Sequence, residues 1–112
     1  MQTIANDPAM NRIVVGSLSA LVAGMMTGNV FAADARKGET LAKRWCANCH
    51  IVSVDQQRGT TQAPPFSAVA NRPDFNEGKL AYFLLNPHPK MPDMNLSRSE
   101  ASDLAAYIGT QK

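Results

Sequence analysis

Cys46-Ala47-Asn48-Cys49-His50 is the stretch that decides how this chain folds. On one turn of helix, positions i, i+3 and i+4 share a face, so Cys46, Cys49 and His50 can meet one flat partner together. That spacing is the attachment signature of a c-type haem. The two thiols add across the haem vinyl groups as thioethers, and the His50 imidazole takes one axial position on the iron. Two other chemistries use parts of the pattern. A thioredoxin-like dithiol pair needs alternating strands and helices, which the chain lacks. A zinc site needs four ligands, and the chain offers Cys46, Cys49, His50 and His88. One covalent haem is the reading carried forward.

Upstream of the motif, Gly38, Leu41, Ala42 and Trp45 form an apolar stripe at helical spacing that runs directly into Cys46. Asp34 and Glu39 suit the positive end of that helix. Arg36, Lys37, Lys43 and Arg44 are read as its solvated face. Downstream, 51–63 shows no sustained period and reads as a loop ending in Ala63-Pro64-Pro65-Phe66. Proline keeps its carbonyl, so either Pro64 or Pro65 can offer a fixed acceptor to the Nδ1–H of His50, orienting the ring. A short helical turn fits 66–70. A further helix follows Asp74, with Leu80, Phe83 and Leu84 on one face and Gly78 weakening its first turn.

Pro87, Pro89 and Pro92 then interrupt regular structure, in a segment that holds three candidate iron ligands, His88, Met91 and Met94. His88 lies between two prolines, which leave it little freedom to swing inward. Met91 is braced by Pro89 and Pro92, which lowers the entropic cost of holding a weak thioether ligand. Met94 precedes the last helix closely and is expected to pack beneath it as a gap-filler. Ser97-Arg98-Ser99-Glu100 is a capping box. After it, Ala101, Leu104, Ala105 and Ile108 continue the helix as one buried stripe, with Gly109 at its exit. The fold class is therefore all-α, three to four short helices wrapped round one covalent haem.

The N-terminal third has a different character. Arg12 precedes an uncharged stretch that ends in Val30-Phe31-Ala32, a small-residue cleavage pattern. Residues 1–32 are read as a secretory signal peptide and 33–112 as the domain, with Met10 a candidate true start. An uncleaved anchor is the competing reading, but Gly16, Gly24, Gly28 and Asn29 dilute the apolar run. A domain this small usually needs a staple, and a covalent porphyrin is one. Removing the signal takes away Arg12 and Asp7 together, so the formal charge of +2 is unchanged. Two haem propionates would offset it. Without a basic run or aromatic-basic interleaving, nucleic acid is not an expected partner.

In this order the motifs resemble those of the small bacterial monohaem class I cytochromes c. The resemblance rests on Gly38, the Cys46–His50 motif, Ala63-Pro64-Pro65-Phe66, Pro87-His88-Pro89-Lys90-Met91-Pro92, and Leu104-Ala105-Ala106-Tyr107-Ile108. It implies that the first and last helices cross, Gly38 and Ala42 against Leu104 and Tyr107. Mitochondrial-type members place an aromatic at Ala42, so the crossing here is either closer or filled partly by Trp45. It implies Met91 as the distal ligand and a carbonyl from Pro64 or Pro65 behind His50. Such proteins shuttle single electrons between larger redox proteins, as monomers or in transient complexes. The expected function is thus a periplasmic one-electron carrier, not an enzyme, and not stably inserted in a membrane. A permanent electron-transfer subunit of a dehydrogenase or oxidase would use the same chemistry. A five-coordinate sensor or peroxidase would need catalytic polar residues on the distal side, where this chain has methionines among prolines.

Overall fold

A computed structural model describes residues 32–60, 62–87 and 89–112. The signal peptide expected over 1–32 falls, apart from Ala32, outside the described residues, and so does His88. Four helices carry the domain: α1 (Ala35–Leu41), α2 (Phe66–Ala70), α3 (Glu77–Leu85) and α4 (Arg98–Gly109). Among the described residues there is no strand, and no helix is long and apolar enough to cross a membrane.

Each helix starts on a side-chain or backbone device. Asp34 caps α1, its carboxylate accepting from the Arg36 and Lys37 backbone N–H groups. Those bonds hold the Asp34 carboxyl below its usual range, the Lys37 bond contributing most. Asn76 caps α3 through Lys79 N–H. At α4 the box is complete. Ser97 Oγ accepts from Glu100 N–H, and Glu100 accepts in return from Ser97 N–H.

The core is built where α1 crosses α4. Ala42, Ala101, Leu104 and Ala105 are buried completely, and Ile108 and Tyr107 nearly so. A Cβ placed on Gly38 would collide with the Asp103 carbonyl oxygen and lie 2.8 Å from Tyr107 Cβ. Only glycine allows the two backbones this close. The crossing is therefore tight, and Trp45 does not fill it, which corrects the second of the two sequence expectations. The cause is a break in the helical period. After Leu41 the chain makes a π-helical turn over Ala42–Cys46, closed by Ala47 N–H on the Ala42 carbonyl at 3.1 Å. A wider turn advances each residue by a smaller angle. Trp45 then leaves the stripe that a 3.6-residue period would give it and stands 41% exposed, with the Arg44 guanidinium 4.9 Å from its ring centre. Buried positions run Gly38, Ala42, Cys46 instead.

The loop after the motif is tied to this core by one long-range bond. Tyr107 Oη donates to the Val52 carbonyl at 2.7 Å, and Val52 is itself almost fully buried. Burial raises the Tyr107 phenol above its ordinary value.

Candidate functional site: a haem cavity between His50 and two methionines

The π turn delivers the chain into the Cys46–His50 segment, which closes as a helical turn. Cys49 N–H and His50 N–H both donate to the Cys46 carbonyl, at 3.1 and 2.8 Å. Cys46, Cys49 and His50 all line one cavity of about 620 Å³, a size suited to an organic cofactor. Both cysteines are free. The Cys46 thiol is pushed up to about 11, first by burial and then by the nearby Cys49.

Behind the imidazole the two prolines have different tasks. His50 Nδ1 lies 2.6 Å from the Pro64 carbonyl oxygen. The Pro65 carbonyl is occupied elsewhere, accepting from Ala68 and Val69 N–H in the first turn of α2. Pro65 is the N-cap residue of that helix, so its acceptor is committed by the helix start. Phe66, the first residue of α2, packs against the imidazole with ring centres 5.5 Å apart, and Tyr107 meets Phe66 edge-on at 6.3 Å.

Other parts of the cavity wall come from α3 and the proline-rich segment. Leu80, Phe83 and Leu84 supply apolar surface from α3, and Met91, Pro92 and Met94 supply it from the loop before α4. Met94, expected to pack beneath the last helix, is buried, with 9% of its surface exposed, and lines the same cavity as Met91 and Ile108 of α4. The reason is local. Asp93 accepts from Asn95 N–H at 2.9 Å, and Asn95 adopts the left-handed conformation, φ 50°. This tight turn sets the backbone at Met94 before α4 begins. Among the described residues, the charged groups on the wall are Arg72 and Lys90, both basic.

Haem c fits these walls. Two thiols and an imidazole sit on one turn, soft thioether donors stand on the same cavity, and the remaining surface is mainly apolar. Comparison with known proteins gives the same answer. Residues 33–108 match the family described as cytochrome C oxidase, cbb3-type, subunit III. The chain is also 53% identical over 90 residues to cytochrome c-552 of Bradyrhizobium diazoefficiens, covering 80% of this chain and 86% of that protein. The chain belongs to the cytochrome c family. No solved structure matches it. As a small bacterial monohaem cytochrome c, it holds one haem c covalently through Cys46 and Cys49 and transfers electrons to and from redox partners, without acting as an enzyme.

Two site residues escaped sequence reading. Val52 and Gln56 lie in a stretch with no hydrophobic period, yet Val52 is core and Gln56 bonds four backbone groups around the motif. Val52 is fixed by the distant Tyr107 hydroxyl, and Gln56 by backbone groups within nine residues of it that only the folded loop brings round its amide.

Proposed function

We propose that the protein is an exported one-electron carrier whose haem iron is held by His50 on one side and Met91 on the other. The observation that carries this reading is the pairing of His50 Nδ1 with the Pro64 carbonyl on a cavity that also holds a methionine-bearing loop. With Nδ1–H committed to Pro64, the Nε2 lone pair is the one left for iron, and the donated hydrogen bond makes that nitrogen more basic. Met91 brings a soft thioether from a segment stiffened by Pro89 and Pro92. Haem c, when bound, supplies the ferrous–ferric couple, and thioether ligation favours its ferrous form relative to a second imidazole. Phe66, Leu80, Phe83 and Leu84 exclude water from the cavity wall. Arg72 and Lys90 carry the sign that two propionate carboxylates require. Residues 1–32 act as a cleaved export signal, which delivers 33–112 to the periplasm as a soluble carrier.

A redox titration of the purified native protein tests the reading. A one-electron Nernst curve with unchanged low-spin spectra and an intact mass beginning at Ala33 supports it. Rapid binding of cyanide to the ferric form, or turnover of peroxide, would point to an open iron and sink it. A second reading, a permanent subunit of an oxidase, draws on the description of the matching family. Size-exclusion chromatography of a gently prepared native extract separates the two, since a free carrier elutes at the mass of one small chain.

A further inference from the structure

The segment from Ile51 to Ala63 has to leave His50 and return a carbonyl to it 14 residues later, and its described residues carry no helix or strand. Two backbone bonds help, Thr60 N–H to the Cys49 carbonyl and Phe66 N–H to the Ile51 carbonyl, both at 2.9 Å. Most of the remaining fastening near the motif is one side chain. Gln56 Oε1 accepts from Val52 N–H at 2.9 Å. Gln56 Nε2 donates to the carbonyls of Ala47 at 3.0 Å, His50 at 2.8 Å and Arg58 at 2.5 Å. A primary amide has two N–H donors and one acceptor oxygen, so its donors are divided among three carbonyls. Two of those carbonyls belong to the haem-attachment turn, and the third lies on the strand of chain leading back toward Pro64. Glutamate would keep the acceptor and lose both donors. Asparagine would be one methylene too short to reach all four groups.

We infer that Gln56 is a positioning residue for the axial imidazole: its side-chain amide locks the His50 backbone to the returning loop and so keeps the His50 ring in register with the Pro64 carbonyl. This rests on the proposed role of His50 as iron ligand. Without the clamp, the loop gains freedom just where the Nδ1–H···O bond depends on it. That bond then lengthens or opens more often, the imidazole becomes a poorer donor, and the ferric state loses stabilisation. The reduction potential rises.

The test uses the ¹⁵N-labelled holoprotein and follows exchange of the His50 ring N–H with solvent beside the backbone amides of α4, which report global opening. In Gln56→Met the ring N–H should exchange about threefold to tenfold faster relative to the α4 amides, the effect of losing about one net hydrogen bond. The potential should shift upward. Tyr107→Phe removes another tether of the same loop, the bond to the Val52 carbonyl, and should change ring and α4 exchange in step with the potential unmoved. If Gln56→Met behaves like Tyr107→Phe, Gln56 is only a structural fastener and the inference fails. Should Gln56→Met yield no holoprotein, the unmodified protein decides. The Gln56 side-chain amide protons and the His50 ring N–H should then share one opening rate, and unrelated rates overturn the inference. Absence of paramagnetic shifts from the His50 ring in the unmodified ferric protein would instead remove His50 as ligand, a failure of the functional reading that the exchange data alone would not produce.

Discussion

Where α1 crosses α4 the polypeptide fills its own interior; between the Cys46–His50 turn and the Met91–Met94 loop it does not. At the crossing, Gly38 sits against the Asp103 backbone, and Ala42, Leu104 and Ala105 are sealed from solvent. Around the cavity, apolar side chains of α3 and the methionine loop face a space of about 620 Å³. The first region draws its order from close packing of small residues. The second draws it from a group bound covalently to the chain. Damage to the two should therefore read out differently: stability without a spectral change in one, a spectral change in the other.

The largest effect is expected from removing both thioether links. Cys46→Ala with Cys49→Ala should give a polypeptide without covalent haem after acid-acetone extraction, and far-ultraviolet circular dichroism should show most helix lost. A well-folded apoprotein would break the contrast, because the cavity side would then not need its group. Next comes Gly38→Ala. The new methyl would collide with backbone, which cannot swing aside, so the helices must separate at a cost of about 1–3 kcal/mol or more. Guanidinium unfolding measures this, and the visible spectrum of the folded variant should be unchanged. Tyr107→Phe should cost about 1–2 kcal/mol, since the buried Val52 carbonyl loses its donor; here too the spectrum should stay the same.

The smallest expected effect lies at the capping box. Glu100 is held below its ordinary value of 4.5, chiefly by the Ser97 backbone N–H. A carboxylate lowered by folding stabilises above the unfolded value, and the contribution is lost as pH falls through the folded one. Acid unfolding followed downward from pH 4.5 should be slightly less steep in Glu100→Gln, which keeps the acceptor and drops the charge. No difference between the two curves would show that the box works through its hydrogen bonds alone.

The sequence was a good guide wherever chemistry is local. Cys46, Cys49 and His50 declare their ring partner by spacing, and Ser97 with Glu100 declares a helix start. The stripe of Ala101, Leu104, Ala105 and Ile108 matches the buried face of α4. It was a poorer guide where the path of the backbone, rather than residue type or hydrophobic period, decides the geometry. The π turn at Ala42–Cys46 leaves no trace in hydrophobic period, so the sequence places Trp45 on the stripe that meets α4, whereas it lines the cavity and is partly exposed. Pro64 and Pro65 look equivalent as residues, and only the start of α2 removes one acceptor. Gln56 is a lone polar residue in a loop until its four backbone partners are brought round it. Met94 reads as a helix gap-filler, and that the Asp93–Asn95 turn also brings it to the cavity wall is not visible in the sequence.

The central proposal is that Met91, and not Met94, holds the iron. The weak near-infrared absorption that arises from thioether sulfur bound to ferric haem reads this directly, in the oxidised unmodified protein at neutral pH and in two variants. It should be present in the unmodified protein, absent in Met91→Ala with a lowered potential and an iron open to added ligands, and retained in Met94→Ala, which should lose at most a few kcal/mol of stability. Persistence of the band in Met91→Ala and its loss in Met94→Ala would transfer the ligand to Met94, and its absence from the unmodified protein would contradict methionine ligation and the simple electron-carrier function with it.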